Sequence, residues 1–268
     1  MVGFYHTGNL GSMKILELKN VSKTFGGLQA VKSINLSVEK GEIVGLMGAN
    51  GAGKTTLFNL ISGNQKPTTG EIWFQDQRTD RLRADQINRL GVGRAFQIVR
   101  PFAGLTVLEN VMIGSLYGKG RQHSGSSARR EATEILAKVG LVDRKLDIAG
   151  TLTLAGRKRL EIARSLATQP NLLLLDEVMA GLTPAEVSEA SKMIMALQKE
   201  QSLTLIIIEH VMRALMNLSE RLVVIHHGSK IAEGSPKEIS ESPVVNEAYF
   251  GVTNDEGISK TRKIILWV

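Results

Sequence analysis

Eight consecutive residues, Gly48-Ala49-Asn50-Gly51-Ala52-Gly53-Lys54-Thr55, have the types and spacing that hold phosphate. They fit the pattern of a glycine, four residues and then Gly-Lys-Ser/Thr. Glycines let the main chain wrap closely, so several N–H groups can point at one anion. Gly48, Asn50, Gly51, Ala52 and Gly53 would form that cradle, and Thr56 continues it into a helix. Lys54 can reach the β- and γ-phosphates, and the Thr55 hydroxyl can ligate Mg²⁺. The chemistry this implies is binding of a nucleoside triphosphate with Mg²⁺. The elements needed to position the loop are present. The apolar run 43–47 before it reads as a buried strand, and 55–61 after it reads as a helix whose N-terminus adds partial positive charge at the same point.

A second chemical pair is Asp176-Glu177, at the end of an apolar run of four leucines. Alone it reads as two solvated carboxylates at a strand end. Downstream of a phosphate loop, it reads as a Mg²⁺ carboxylate followed by a base that takes a proton from the attacking water. Mg²⁺ prefers oxygen ligands, so Thr55 and Asp176 would share it. Gln97 also closes a predicted strand, 92–97, where it would touch Mg²⁺ or the water. His210 follows another apolar run, 203–208. Taken singly, Gln97 and His210 are not diagnostic, and Phe25 alone fits a core position as well as a ligand contact. The other histidines show no metal-ligand spacing.

The bulk composition narrows the class. The chain has 268 residues, 43% of them hydrophobic, and no cysteine, so neither disulfides nor thiolate metal sites can form. The longest apolar runs are far shorter than the ~20 residues a membrane span needs. The net charge of +7 is scattered, and aromatics are only 4%, which argues against nucleic acid as a partner. Residues 1–12 lack the pattern of a signal peptide and read as an unstructured leader. Helices are expected at 84–90, 106–113, 128–139, 157–167 with a basic outer face, and from Pro184 to about 199. A Gly/Ser-rich loop is expected at 118–127. Strands alternate with these helices, which implies an α/β fold with a parallel sheet covered on both faces. Ligands of such sheets bind at the carboxyl ends of the strands, where Gly48, Gln97, Asp176 and His210 all fall.

The order of these motifs resembles the ATP-binding subunit of ABC transporters over about residues 13–252. The resemblance implies the P-loop ABC ATPase fold: a mostly parallel core sheet, an antiparallel β subdomain and a helical subdomain inserted at about 98–169. It places the ATPase domain at 13–253 and leaves 254–268 as a tail. It implies that Phe25 stacks on adenine, that Gln97 is the Q-loop glutamine and a Mg²⁺ ligand, and that His210 is the switch histidine at the γ-phosphate. Glu177 would be the catalytic base. Ala180-Gly181-Leu182-Thr183 would form the D-loop. Finer features, Arg94-Ala95-Phe96-Gln97, Leu105-Thr106-Val107-Leu108-Glu109-Asn110 and Leu160-Glu161-Ile162-Ala163-Arg164, are similar to the branched-chain amino acid importers.

The resemblance weakens at one loop. The family pattern Leu-Ser-Gly-Gly-Gln maps to Leu152-Thr153-Leu154-Ala155-Gly156. Thr153 keeps a hydroxyl, Ala155 replaces a glycine, and Gly156 replaces the glutamine. A positive φ at Ala155 would cost on the order of 1 kcal/mol. In this family two ATPases pack head to tail, so this loop would serve the partner's ATP. An asymmetric pair with an unlike second ATPase is therefore expected, together with separate permease subunits and a place on the cytoplasmic face of the plasma membrane. The alternatives are a nucleotide-binding regulator with weak hydrolysis and a non-transport ATPase of the same fold.

Overall fold

The structure is a computed structural model that describes residues 13–119 and 124–250. The chain opens with β1 (Lys14–Phe25) and β2 (Leu28–Glu39), a hairpin, and then β3 (Ile43–Met47), which feeds α1 (Lys54–Ile61). Next come β4 (Thr69–Phe74), β5 (Gln77–Arg78), α2 (Ala84–Leu90) and β6 (Val92–Ala95). Helices α3 (Val107–Tyr117), α4 (Gly125–Lys138) and α5 (Leu154–Leu166) lie between β6 and β7 (Leu172–Asp176). Then follow α6 (Pro184–Gln201), β8 (Thr204–Ile208), α7 (Met212–Leu218) and β9 (Arg221–His226). The described chain closes with β10 (Ser229–Gly234), α8 (Pro236–Glu241) and α9 (Pro243–Phe250).

Two sheets carry these elements. One is antiparallel, in the order β2-β1-β4-β5. The other runs β10-β9-β3-β8-β7-β6, parallel from β9 to β6 with β10 antiparallel at its edge. Its central strands are buried throughout, as expected for a sheet covered on both faces. Side chains on a strand point alternately to opposite faces. Leu172 and Leu174 accordingly join the core shared with α1 and the antiparallel sheet, while Leu173 and Leu175 join the core shared with α3, α5 and α6. Each such leucine contributes about 1.5–3 kcal/mol on burial. The same parity places Asp176 on the α1 side.

The differences from the sequence reading have local causes. The first strand was expected to stop at residue 20, but β1 continues to Phe25. Asn20 takes φ +51, and register shifts on either side of Val21 break the alternation there. Helix α5 begins at Leu154, earlier than the expected 157, because the Thr153 hydroxyl accepts the Gly156 N–H at 3.2 Å and caps it. Ser124 caps α4 in the same way, so the helix takes in Ser126 and Ser127 from the expected loop. Residues 120–123 of that loop, and the expected leader and tail, lie outside the described residues. No described helix is long and apolar enough to cross a membrane.

Candidate active site

Sterics shape the phosphate loop. A Cβ on Gly48 would lie 2.4 Å from the Ile225 carbonyl oxygen. A Cβ on Gly53 would lie 2.4 Å from the Ala30 carbonyl oxygen, and Gly53 also has φ +107. Neither position admits a side chain. The loop turns directly into α1, whose first residue is Lys54. The Lys54 ammonium is buried and donates to the Gly48 and Ala49 carbonyls at 2.5 and 3.0 Å. Burial lowers its pKa, and the carboxylates of Glu177 and Asp176 oppose that shift. Asn50, Gly51 and Thr55 are exposed, Thr56 is half-buried and Ala52 is buried.

The hairpin brings Phe25 to the same end of the molecule. Lys32 N–H donates to the Gly228 carbonyl at 2.8 Å, and Gly228 N–H donates to the Ala52 carbonyl at 2.9 Å. Phe25 ends β1 with 44% of its surface exposed, and the Lys23 ammonium lies 5.0 Å from its ring centroid. Its exposed ring offers a stacking face.

Asp176 ends β7 and is held from one side. Its Oδ2 accepts from Arg94 Nη2 at 2.7 Å, with both side chains buried. Arg94 Nη1 also donates to Asn59 Oδ1 at 2.7 Å and to Ser62 Oγ at 3.2 Å, so it joins β6 and β7 to α1. Asp176 Oδ1 is buried and has no hydrogen-bond partner among the described residues. Asp176, Thr55 and Gln97 line one cleft of 470 Å³. A buried carboxylate oxygen without a donor is costly. Beside an exposed hydroxyl, it suits a hard cation that takes oxygen ligands, so these residues fit Mg²⁺.

Glu177 is the centre of the arrangement. It has φ +51, uncommon for a side-chain-bearing residue, and its N–H donates to the Ile208 carbonyl at 2.8 Å. Gln97 Nε2 donates to Glu177 Oε2 at 2.5 Å, and His210 Nε2 lies 2.7 Å from Glu177 Oε1. The three polar side chains singled out at strand ends, far apart in the chain, therefore converge. Val178 and Met179 are buried just beyond Glu177. Met179 N–H donates to Glu209 Oε1 at 2.7 Å, and burial pushes the Glu209 carboxyl up to about 7.

The loop expected to serve a partner's nucleotide lies apart from this cluster. Thr153 is exposed, Ala155 is half-buried and Gly156 is buried. Ala155 lies in the first turn of α5, in helical rather than left-handed conformation. The expected backbone strain there is absent. Leu154 is 48% exposed, and its side chain reaches the D-loop, 3.0 Å from where a Cβ on Gly181 would sit.

Two residues of the site were missed as participants. Arg94 enters the sequence reading only as part of a resemblance, and Lys158 only as one of the residues of a helix with a basic outer face. Lys158 is in fact buried. A weak pointer was available, since it lies four residues before buried Ile162 on the same helical face.

The profile of the ABC transporter family matches residues 31–180, and the chain belongs to that family. Within it, the chain is 39% identical over 252 residues to the high-affinity branched-chain amino acid transport ATP-binding protein LivG of Escherichia coli (strain K12). That alignment spans 90% of this chain and 99% of LivG. Among solved structures, the ADP conformation of MJ1267, an ATP-binding cassette of an ABC transporter, has a TM-score of 0.81 at 30% identity. It covers 90% of this chain and 100% of MJ1267. The ATP-binding cassette MJ0796, in a dimeric post-hydrolysis state with ADP and Pi, has a TM-score of 0.75 at 28% identity, covering 83% of this chain and 99% of that one.

Proposed function

We propose that this chain is the ATP-binding and hydrolysing subunit of an ABC importer for branched-chain or related amino acids. The observation that carries the reading is the Glu177 carboxylate, pinned between Gln97 and His210 at the end of β7, beside a sterically defined phosphate loop. The similarity to LivG along nearly the whole chain supports the substrate class.

The loop N–H groups of Gly48 to Gly53 and the Lys54 ammonium bind the phosphates, and Phe25 stacks on the adenine. Thr55, Gln97 and Asp176 would hold Mg²⁺, which when bound would neutralise phosphate charge. Glu177 takes a proton from the water that attacks the γ-phosphorus, Gln97 orients that water, and His210 reports on the γ-phosphate. Thr153, Ala155 and Gly156 meet the ATP of a second ABC ATPase subunit. Support for an unlike partner rests on the bulk of Leu154 and the missing glutamine at Gly156, since Ala155 is unstrained. The exposed Ile98 and Phe102 receive a transmembrane permease subunit. The chain would then sit peripherally on the inner face of the plasma membrane.

The test is ATPase rate against concentration of the purified chain, alone and with candidate partners, using Glu177→Gln as the blank. A general base contributes about 10²–10⁴-fold. The variant should bind ATP normally and lose turnover in that range. Normal turnover refutes the reading.

A further inference from the structure

Helix α5 carries a polar stripe into the interior. Lys158, Glu161 and Ser165 are 5–6% exposed and lie on one face, at i, i+3 and i+7. Polar groups buried at this depth nearly always have hydrogen-bond partners. Besides contacts within α5, such as the Arg164–Glu161 pair at 3.0 Å, each reaches a main-chain group of the segment 94–97. Ser165 Oγ donates to the Arg94 carbonyl at 2.7 Å, Phe96 N–H reaches Glu161 Oε1 at 3.5 Å, and Lys158 Nζ donates to the Gln97 carbonyl at 2.9 Å. The helix therefore tracks the backbone from β6 to Gln97.

Lys158 goes one step further. Its ammonium also donates to the Glu177 carbonyl at 2.9 Å. That carbonyl accepts a second hydrogen bond from Ala180 N–H at 3.2 Å, at the start of the D-loop. One buried cation thus holds the main chain of both residues whose side chains meet at 2.5 Å. The Glu177 backbone needs holding, because its left-handed conformation persists only where the surroundings enforce it. Burial lowers the Lys158 pKa, and the carboxylates of Glu209, Glu177, Asp176 and Glu161 oppose that shift.

We propose that Lys158 is a positioning residue for ATP hydrolysis: by bonding the Gln97 and Glu177 carbonyls at once, it ties the orientation of α5 to the aim of the Glu177 carboxylate. The proposal rests on Glu177 acting as the base. It does not require Lys158 to touch nucleotide. Tilting of α5 relative to the parallel sheet would draw the ammonium from one carbonyl or the other and release Glu177 from Gln97. Turnover would then depend on the helix being seated.

The experiment compares Lys158→Arg, Lys158→Gln and Lys158→Met in the assembled transporter, each in the wild-type and the Glu177→Gln background. ATP affinity is read by calorimetry, turnover by phosphate release and folding by thermal melts. A displacement of about 1 Å in a positioned group can cost on the order of 10²-fold. The expected order of kcat is wild type, Lys158→Arg, Lys158→Gln, Lys158→Met, with Met lower by about 10- to 100-fold and ATP affinity unchanged. In the Glu177→Gln background the same changes should have little further effect, because residues acting as a unit are non-additive. Arg and Gln keep donors for the two carbonyls, so a Met variant that fails to fold leaves the comparison intact. Equal kcat in all folded variants, or equal losses in both backgrounds, overturns the role of Lys158 alone. Normal turnover in Glu177→Gln by itself overturns the assignment of Glu177 and this proposal with it.

Discussion

Replacing Arg94 by Met should unsettle the site through charge rather than through volume. The side chains of Arg94 and Asp176 are only 6% and 2% exposed, and 2.7 Å separates the paired atoms. Removing the guanidinium leaves the Asp176 carboxylate buried with neither oxygen paired, since Oδ1 already lacks a donor among the described residues. Breaking a buried pair from one side costs about 3–5 kcal/mol. Of the neighbours, Ser62 keeps its bonds to the Phe58 carbonyl and to Asn64, while Asn59 Oδ1 loses the Arg94 donor. For a domain of this size such a loss lowers Tm by roughly 6–20 °C. Calorimetric melts without nucleotide read it directly. The double variant Arg94→Met/Asp176→Asn leaves neither charge of this pair behind and should recover most of the stability, as replaced ion pairs often do. A drop under about 2 °C in the single variant would refute the reasoning. So would a double variant no more stable than the single one, because the cost would then lie in packing.

Two further predictions follow from the geometry. Gly53→Ala forces a side chain into φ +107 and against the Ala30 carbonyl, so ATP affinity measured by calorimetry should fall at least ~10-fold, and wild-type affinity would contradict the steric account of the loop. Glu209 holds its proton in the fold up to about pH 7, against 4.5 for a free carboxyl, so the folded state binds more protons than the unfolded across that window and stability falls as pH rises through it. The size is about 3 kcal/mol. Glu209→Gln can still accept the Met179 N–H, so its stability profile over that window should be flatter, and parallel profiles would exclude Glu209 as the cause.

The parts of the site that were legible in the sequence share one property: each is written in consecutive residues. The phosphate loop, the Asp176-Glu177 pair and the apolar strands that deliver them are local patterns. Main-chain geometry and pleat parity turn those patterns into position, so Asp176 necessarily points toward α1. The family was therefore readable from the order of motifs alone. What the tertiary structure decided is how charges are matched across the fold. Arg94 meets Asp176 across 82 residues, and Gln97 meets Glu177 across 80. No local periodicity records such pairings. Lys158 sits in a helix whose basic residues suggested a solvated face, and only packing shows its ammonium turned inward onto two carbonyls. Ala155 would have been strained only at positive φ, and it lies instead in the first turn of α5, behind the Thr153 cap. For the charged residues the deciding quantity was burial, which sets whether a charge is solvated or must find a partner. Burial belongs to the assembled fold and not to any stretch of the chain.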